Sequence, residues 1–114
     1  MPRRDWAFRI RDIIEAINRI RQYTTGMTQE SFTVDEKTVD AVIRNLIIVG
    51  EAAKHVPEDV VSAHPEIPWS DMAGMRDVVA HEYFGVDLDI VWETVTKDLL
   101  PLVPELERML PGSS

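Results

Sequence analysis

Apolar residues recur at intervals of three and four along most of the chain, the pattern of amphipathic helices. The clearest case is the segment from about Asp5 to Thr24, and Gly26 follows it as a stop signal. Its inward stripe is made of isoleucines: Ile10, Ile13, Ile14, Ile17 and Ile20. These features predict a long first helix, with a short helical turn or a loop at Thr28–Thr33.

A second long helix is predicted from the cap residue Asp35 to about Val56, just before Pro57. Its apolar positions form two adjacent stripes, and a helix apolar over so wide an arc is buried from more than one side. The first stripe comprises Val39, Val42, Leu46, Val49, Ala53 and Val56, and the second comprises Ile43, Ile47 and Gly50. We therefore expect this helix at the centre of the fold, where small residues admit a close neighbour.

The rest of the chain predicts three further helices. Pro57–Ala63 is a short helix with proline in its first position, and residues 64–68 form an extended connector. The next helix runs from about Ser70 to Phe84, and the last from about Asp87 to Leu110, kinked or divided by its prolines. The prediction is a single all-α domain over residues 1–114, an antiparallel bundle of four to five helices with flexible ends at 1–4 and 111–114.

Composition narrows the class of protein. A chain of 114 residues with 45% hydrophobic and 28% charged residues is one ordinary globular domain, and one this short gains from dimerising. The absence of cysteine excludes disulfides, thiol nucleophiles and cysteine-bound zinc. No apolar stretch is long enough to span a membrane, and no apolar segment follows the N-terminal arginines as in a signal peptide. We expect a cytoplasmic protein without contact to a membrane.

The net charge of −8 is unevenly distributed. Residues 1–21 contain six arginines and three acids, whereas the remainder contains six basic residues and seventeen acids. A basic first helix on an acidic body could bind another acidic surface or follow RNA phosphates. It could equally be a solvated helix face.

The segment Gly74–Tyr83 is the one with candidate chemistry. Asp77 and His81 are four residues apart, so their side chains share a helix face, and the carboxylate would orient the imidazole. Arg76 is about 140° from His81 around the axis, so a site using both is easier to build in a groove or between two chains. Histidine as acid or base and arginine as a phosphate-binding fork suit RNA cleavage without a metal or cofactor. Alternatively, Arg76, Asp77, His81 and Glu82 form a ladder of ion pairs on the helix surface and have no catalytic role.

Glu51 is the other polar residue of interest, because it lies on the apolar second helix and Arg76 is a candidate partner. Such a pair would either stabilise the fold or position the arginine. His55 and His64 lack metal-ligand spacing and lie near helix ends, where a cation suits the helix dipole.

Four landmarks in order resemble the HepT-like family of the HEPN superfamily. They are Ile48–Lys54, Ile67–Trp69, the Gly74–Asp77 string with His81 and Tyr83, and Val91–Trp92 with Asp98–Leu99. The resemblance extends over about residues 5–110 and implies a dimeric helical bundle. Relatives often carry asparagine where this chain has Asp77.

The resemblance also implies a function. Family members are similar to metal-independent ribonucleases that act as toxins, each paired with a nucleotidyltransferase antitoxin that transfers AMP to the motif tyrosine. Carried over, Arg76 and His81 would be catalytic, Asp77 would assist them, and Tyr83 would be adenylylated. The alternative function is a dimeric, non-catalytic binding subunit of a minimal nucleotidyltransferase.

Overall fold

The first helix, α1, spans Asp5–Thr24 in the computed structural model, which describes residues 5–81 and 87–111, with side chains for 6–75 and 87–111. The predicted isoleucine stripe is buried, and four of its five members are fully inaccessible to solvent. The helix ends as predicted, because Gly26 has a φ of 80°, a left-handed conformation that favours glycine. The Met27 N–H then donates to the Thr24 carbonyl at 3.0 Å.

A short helix, α2 (Gln29–Thr33), occupies the segment predicted as a turn or loop. A reciprocal capping box starts it: the Ser31 N–H donates to the Thr28 hydroxyl oxygen, and the Thr28 N–H donates to the Ser31 hydroxyl oxygen. Its one buried side chain is Phe32, whose ring centroid lies 5.3 Å from that of Trp92. This tilted aromatic pair ties α2 to the C-terminal part of the chain.

The central helix, α3 (Glu36–Lys54), packs against α1 on one side and against the later helix α5 on the other. Asp35 caps it as predicted, with Oδ1 accepting a 3.1 Å hydrogen bond from the Thr38 N–H. The helix ends at Lys54, two residues before the predicted Val56, because the backbone leaves the helix at His55. The predicted central position of this helix is confirmed.

The connection after α3 contains helix α4 (Glu58–Ala63). Pro57 is its N-cap residue and not its first helical residue, so the predicted start was wrong by one position. The prediction of an extended connector was wrong, because residues 64–67 form a turn with Pro65 in its second position, in which the Ile67 N–H donates to the His64 carbonyl at 3.2 Å. The Trp69 indole N–H donates to the same carbonyl at 2.9 Å. This bond fixes the start of α5, which spans Trp69–His81.

The C-terminal region is divided, as its prolines predict. It comprises α6 (Leu88–Glu93), a π-helical segment (Thr94–Leu99), a 3₁₀ turn (Leu100–Leu102) and α7 (Val103–Met109). Pro104 lacks the N–H that an α-helix would supply to the Leu100 carbonyl. That carbonyl instead accepts from the Val103 N–H and, at 3.4 Å, from Arg21 Nη2 of α1.

Every regular element among residues 5–81 and 87–111 is helical, which confirms the all-α class. Within that part of the chain, no helix is long and apolar enough to cross a membrane. The predicted flexible ends lie outside the described residues except for Pro111.

The Phe32–Trp92 contact predicts a large effect of shortening Phe32. Because Phe32 is fully buried, Phe32→Ala should lower the free energy of unfolding by about 3–5 kcal/mol. The matched control is Val34→Ala, because Val34 is two residues away and 82% exposed; it should change stability by less than about 0.5 kcal/mol. Urea unfolding followed by circular dichroism measures both, and similar losses in the two variants would contradict the packing described.

Candidate functional site

Helix α5 carries the candidate motif. Its first half is anchored in the core by Trp69 and Met72, which are 7% and 0% exposed. The helical backbone continues without a break to His81, so Arg76, Asp77 and His81 all lie in its last two turns. Their side chains, and the whole of Tyr83, lie outside the described residues. The predicted helix end at Phe84 also lies outside them.

The phase of α5 separates the predicted residues into two sides. Arg76 follows the buried Met72 by four residues, so its Cα lies on the side of the helix that faces the core. Asp77 follows the exposed Ser70 by seven residues, so the Cα atoms of Asp77 and His81 lie on the side of the helix that faces away from the core. The structure therefore brings Asp77 and His81 onto one side of α5 and places Arg76 about 140° away from His81.

The side of α5 that carries Asp77 and His81 is open at Gly74. Gly74 lies between Ser70 and Asp77 on this side, and a Cβ built there would meet no described atom of another element within 4 Å. Two neighbouring side chains, Ala73 and Met75, are partly buried and pack against the core. Among the described residues, none therefore packs against Gly74 from another element.

Glu51 lies on α3, the helix against which α5 packs. The C-terminal end of α3 and the N-terminal end of α5 meet, because Ala53 and Trp69 line one groove. From this point Glu51 is two residues back along α3, about half a turn, whereas Arg76 is seven residues further along α5, about two turns. Glu51 is exposed, so burial alone does not oblige it to have a partner.

The two other histidines make local contacts at helix ends. The His55 ring Nδ1 lies 2.8 Å from the Glu51 carbonyl at the end of α3. His64 Nδ1 lies 3.5 Å from Glu66 Oε2 in the connector. Among the described side chains, no group of three or more histidines and carboxylates is arranged to hold a metal ion.

Sequence reasoning missed an ordered polar contact between α1 and α3. Asn45 is 3% exposed, and its Nδ2 donates to the Ala41 carbonyl at 2.9 Å while its Oδ1 accepts from Arg19 Nη1 at 3.3 Å. The signal was an asparagine within an otherwise apolar stretch of α3. This contact holds the Arg19 guanidinium where α1 borders α3.

The fold and the motif together define a class: a small all-helical protein with arginine, aspartate and histidine on one helix. The chain belongs to the ribonuclease HepT-like family, whose model matches residues 13–110. This finding confirms the predicted family.

Curated relatives agree with the family. The chain is 47% identical over 100 residues to the probable ribonuclease HepT of Thermococcus cleftensis, covering 88% of this chain and 91% of that protein. It is 38% identical over 110 residues to MJ0127 of Methanocaldococcus jannaschii, a protein named as a candidate RNase, covering 96% and 91% of the two chains. A candidate RNase of Caldanaerobacter subterraneus, TTE0752, is 38% identical over 98 residues, covering 86% and 84%. No solved structure gave a significant match.

Proposed function

We propose that this protein is an endoribonuclease that works without a metal ion and is the toxin of a toxin–antitoxin pair. The observation that carries the proposal is membership of the ribonuclease HepT-like family, combined with Arg76, Asp77 and His81 on one continuous helix. Its substrate is RNA and its place of action is the cytoplasm.

The proposed reaction uses the 2′-hydroxyl of RNA as the nucleophile. His81 accepts the proton of that hydroxyl while the 2′-oxygen attacks the adjacent phosphorus. The bond from phosphorus to the 5′-oxygen breaks, and the leaving oxygen takes a proton from a second histidine or from water. Arg76 stabilises the negative charge that develops on the phosphate oxygens. The products carry a 2′,3′-cyclic phosphate and a 5′-hydroxyl, and atoms and charges balance without a cofactor.

We propose that the active form is a homodimer whose site combines Arg76 of one chain with His81 of the other. Support comes from the positions of two residues around the axis of α5. The Cα of Arg76 lies on the side that faces the core, and the Cα of His81 lies on the side that carries Gly74. A two-fold axis close to that open side would bring two copies of α5 together. Each histidine would then lie across the interface from the opposite chain, and the long Arg76 side chain would have to extend around its own helix to reach it.

Asp77 and Glu51 act as positioning residues in this proposal. Asp77, one turn before His81, would hold the imidazole in the orientation needed to accept the proton. Its negative charge beside an RNA phosphate is tolerable because it is directed to the histidine. Glu51, on the helix that packs against α5, would reach the long side chain of Arg76 and hold the guanidinium towards the cleft.

Silencing would occur by modification of Tyr83. A nucleotidyltransferase antitoxin would activate the Tyr83 hydroxyl, whose oxygen attacks the α-phosphorus of ATP and releases pyrophosphate. Tyr83 is seven residues after Arg76, on the same helical stripe if the helix continues. The added AMP is an anion that would occupy the phosphate position beside Arg76 and block RNA.

A non-catalytic binding subunit is the second candidate function. The acidic charge of −8 and the carboxylate of Asp77 both oppose binding of a polyanion, and they favour this alternative. In that case the same surface would bind the nucleotidyltransferase without cutting RNA. Cleavage assays separate the two functions.

The first test is cleavage of a mixed RNA pool in EDTA. Wild-type protein, shown by mass spectrometry to be unmodified, should produce fragments ending in 2′,3′-cyclic phosphate. His81→Ala and Arg76→Ala should each lower kcat by about 100-fold or more, because each removes a group that acts in the transition state. Glu51→Gln should lower kcat by a smaller factor, because it acts only through Arg76.

His64→Ala is the matched control for that test. His64 is a partly exposed histidine of the connector, and its loss should leave kcat unchanged. Equal cleavage by wild type and His81→Ala would identify a contaminating nuclease and contradict the proposed site. No cleavage by unmodified wild type would establish the binding-subunit alternative.

Replacing Tyr83 tests the proposed silencing. Tyr83→Phe retains the ring but lacks the oxygen that receives AMP, so cleavage should persist after incubation with the antitoxin and ATP. Wild-type protein treated in the same way should gain one AMP by mass and lose activity. Tyr23→Phe is the control, because Tyr23 is the only other tyrosine and is 41% exposed on α1. If the antitoxin still silences Tyr83→Phe, the modification lies elsewhere.

A further inference from the structure

The outer face of α1, opposite the isoleucine stripe, exposes an aromatic ring that the fold does not use. Phe8 is 62% exposed, although the same helix buries every isoleucine it contains. Burying an apolar ring stabilises a fold, and the exposed part of Phe8 contributes none of that free energy. A single exposed ring is ordinary, so its surroundings decide whether it has a role.

Arg11 is the immediate neighbour of that ring. It lies one turn later on α1, and its guanidinium carbon is 6.0 Å from the Phe8 ring centroid. Aromatic rings and guanidinium planes are the two groups on which proteins stack unpaired RNA bases. Phe8 and Arg11 together therefore present flat stacking surfaces and a positive charge at one place.

Hydrogen-bonding side chains continue along the same face towards the end of α1. A depression of about 430 Å³ there is lined by Glu15, Asn18, Arg19, Arg21, Gln22 and Thr25. Arg19 is held in place, because Nη1 donates to Asn45 Oδ1 at 3.3 Å and Nη2 donates to Glu15 Oε1 at 3.4 Å. An arginine that is already ordered loses less entropy when it contacts a phosphate.

The charge of α1 also differs from that of the other helices. It contains four arginines and three acids, whereas α2, α4 and α6 contain acids and no basic residue. In the sequence, Arg3 and Arg4 directly precede it. On a chain with a net charge of −8, a polyanion meets the least repulsion along α1.

We propose that the outer face of α1 is an accessory binding surface for single-stranded RNA. One base stacks on Phe8 and Arg11, and the adjoining phosphates lie along the arginines and amides of the face. The inference rests on the proposed function, because it assigns a second contact to the same substrate. Helix α3 lies between α1 and α5 in the packing, so this surface binds RNA at a distance from the bond that is cut.

RNA binding is measured first in the His81→Ala background, where no substrate is consumed. The probe is a fluorescently labelled single-stranded RNA of about 20 nucleotides, titrated at several salt concentrations by anisotropy. Phe8→Ala should raise Kd by roughly 5- to 150-fold, the loss expected for one stacked base. Arg11→Gln should also raise Kd, because it removes the guanidinium on which the base stacks, and Arg19→Gln should reduce the slope of log Kd against log salt by about 0.7, which corresponds to one phosphate contact. Ile90→Ala is the control, because Ile90 is also 62% exposed but lies on acidic α6.

Cleavage then distinguishes this surface from the catalytic site. In the active chain, Phe8→Ala should raise KM for the long RNA and leave cleavage of a dinucleotide unchanged, because a dinucleotide cannot reach both places. Tight binding without cleavage would refute the proposed function and still support this surface. Cleavage with unchanged RNA affinity in Phe8→Ala and Arg11→Gln would overturn the surface alone. A shift of Phe8→Ala from dimer to monomer on gel filtration, with RNA affinity unchanged, would overturn it in favour of a protein interface.

Discussion

The burial of α3 between α1 and α5 is the constraint on which the rest of the structure depends. Val42 and Val49 of α3 are fully buried, and the small residues Gly50, Ala52 and Ala53 are buried near its C-terminal end. Small side chains there allow α5 to pack closely along α3. Because α3 is covered from both sides, neither neighbour can rotate about its own axis without exposing apolar surface.

That constraint sets the geometry of the motif. Trp69 and Met72 fix which side of α5 faces the core, and an unbroken helix carries this phase forward to His81. The Cα atoms of Arg76 and His81 consequently lie on different sides of α5. In the proposed dimer the side of α5 that carries His81 would face a partner, and no described residue of another element packs against Gly74 on that side. The proposed dimeric site thus follows from helix packing and from the spacing of two residues.

The sequence predicted most of the fold, because its signals there are local. Isoleucine spacing and Gly26 determined α1, and the Asp35 cap determined the start of α3. The end of α3 was harder to predict, since Val56 is buried although it lies beyond the helix. The π-helical segment before Pro101 was not predicted either, because prolines indicate a break but not how the backbone rearranges around it.

For the candidate site, sequence patterns predicted residue identities and their order on one helix. They could not predict the Arg19–Asn45 contact or the exposure of Phe8, because both depend on which surfaces other helices cover. The proposed composite site is difficult to recognise from one chain, since half of its groups would belong to a second copy.

The central claim is that Arg76 of one chain acts with His81 of another, and mixing two inactive variants tests it most directly. Arg76→Ala and His81→Ala chains are co-expressed, purified as dimers and assayed for RNA cleavage beside each variant alone. A site shared between two chains predicts recovery of about a quarter of wild-type activity, because about half of randomly paired dimers are mixed and each mixed dimer keeps one intact site. Mixed dimers that remain as inactive as the separate variants would contradict a site shared in this way between two chains.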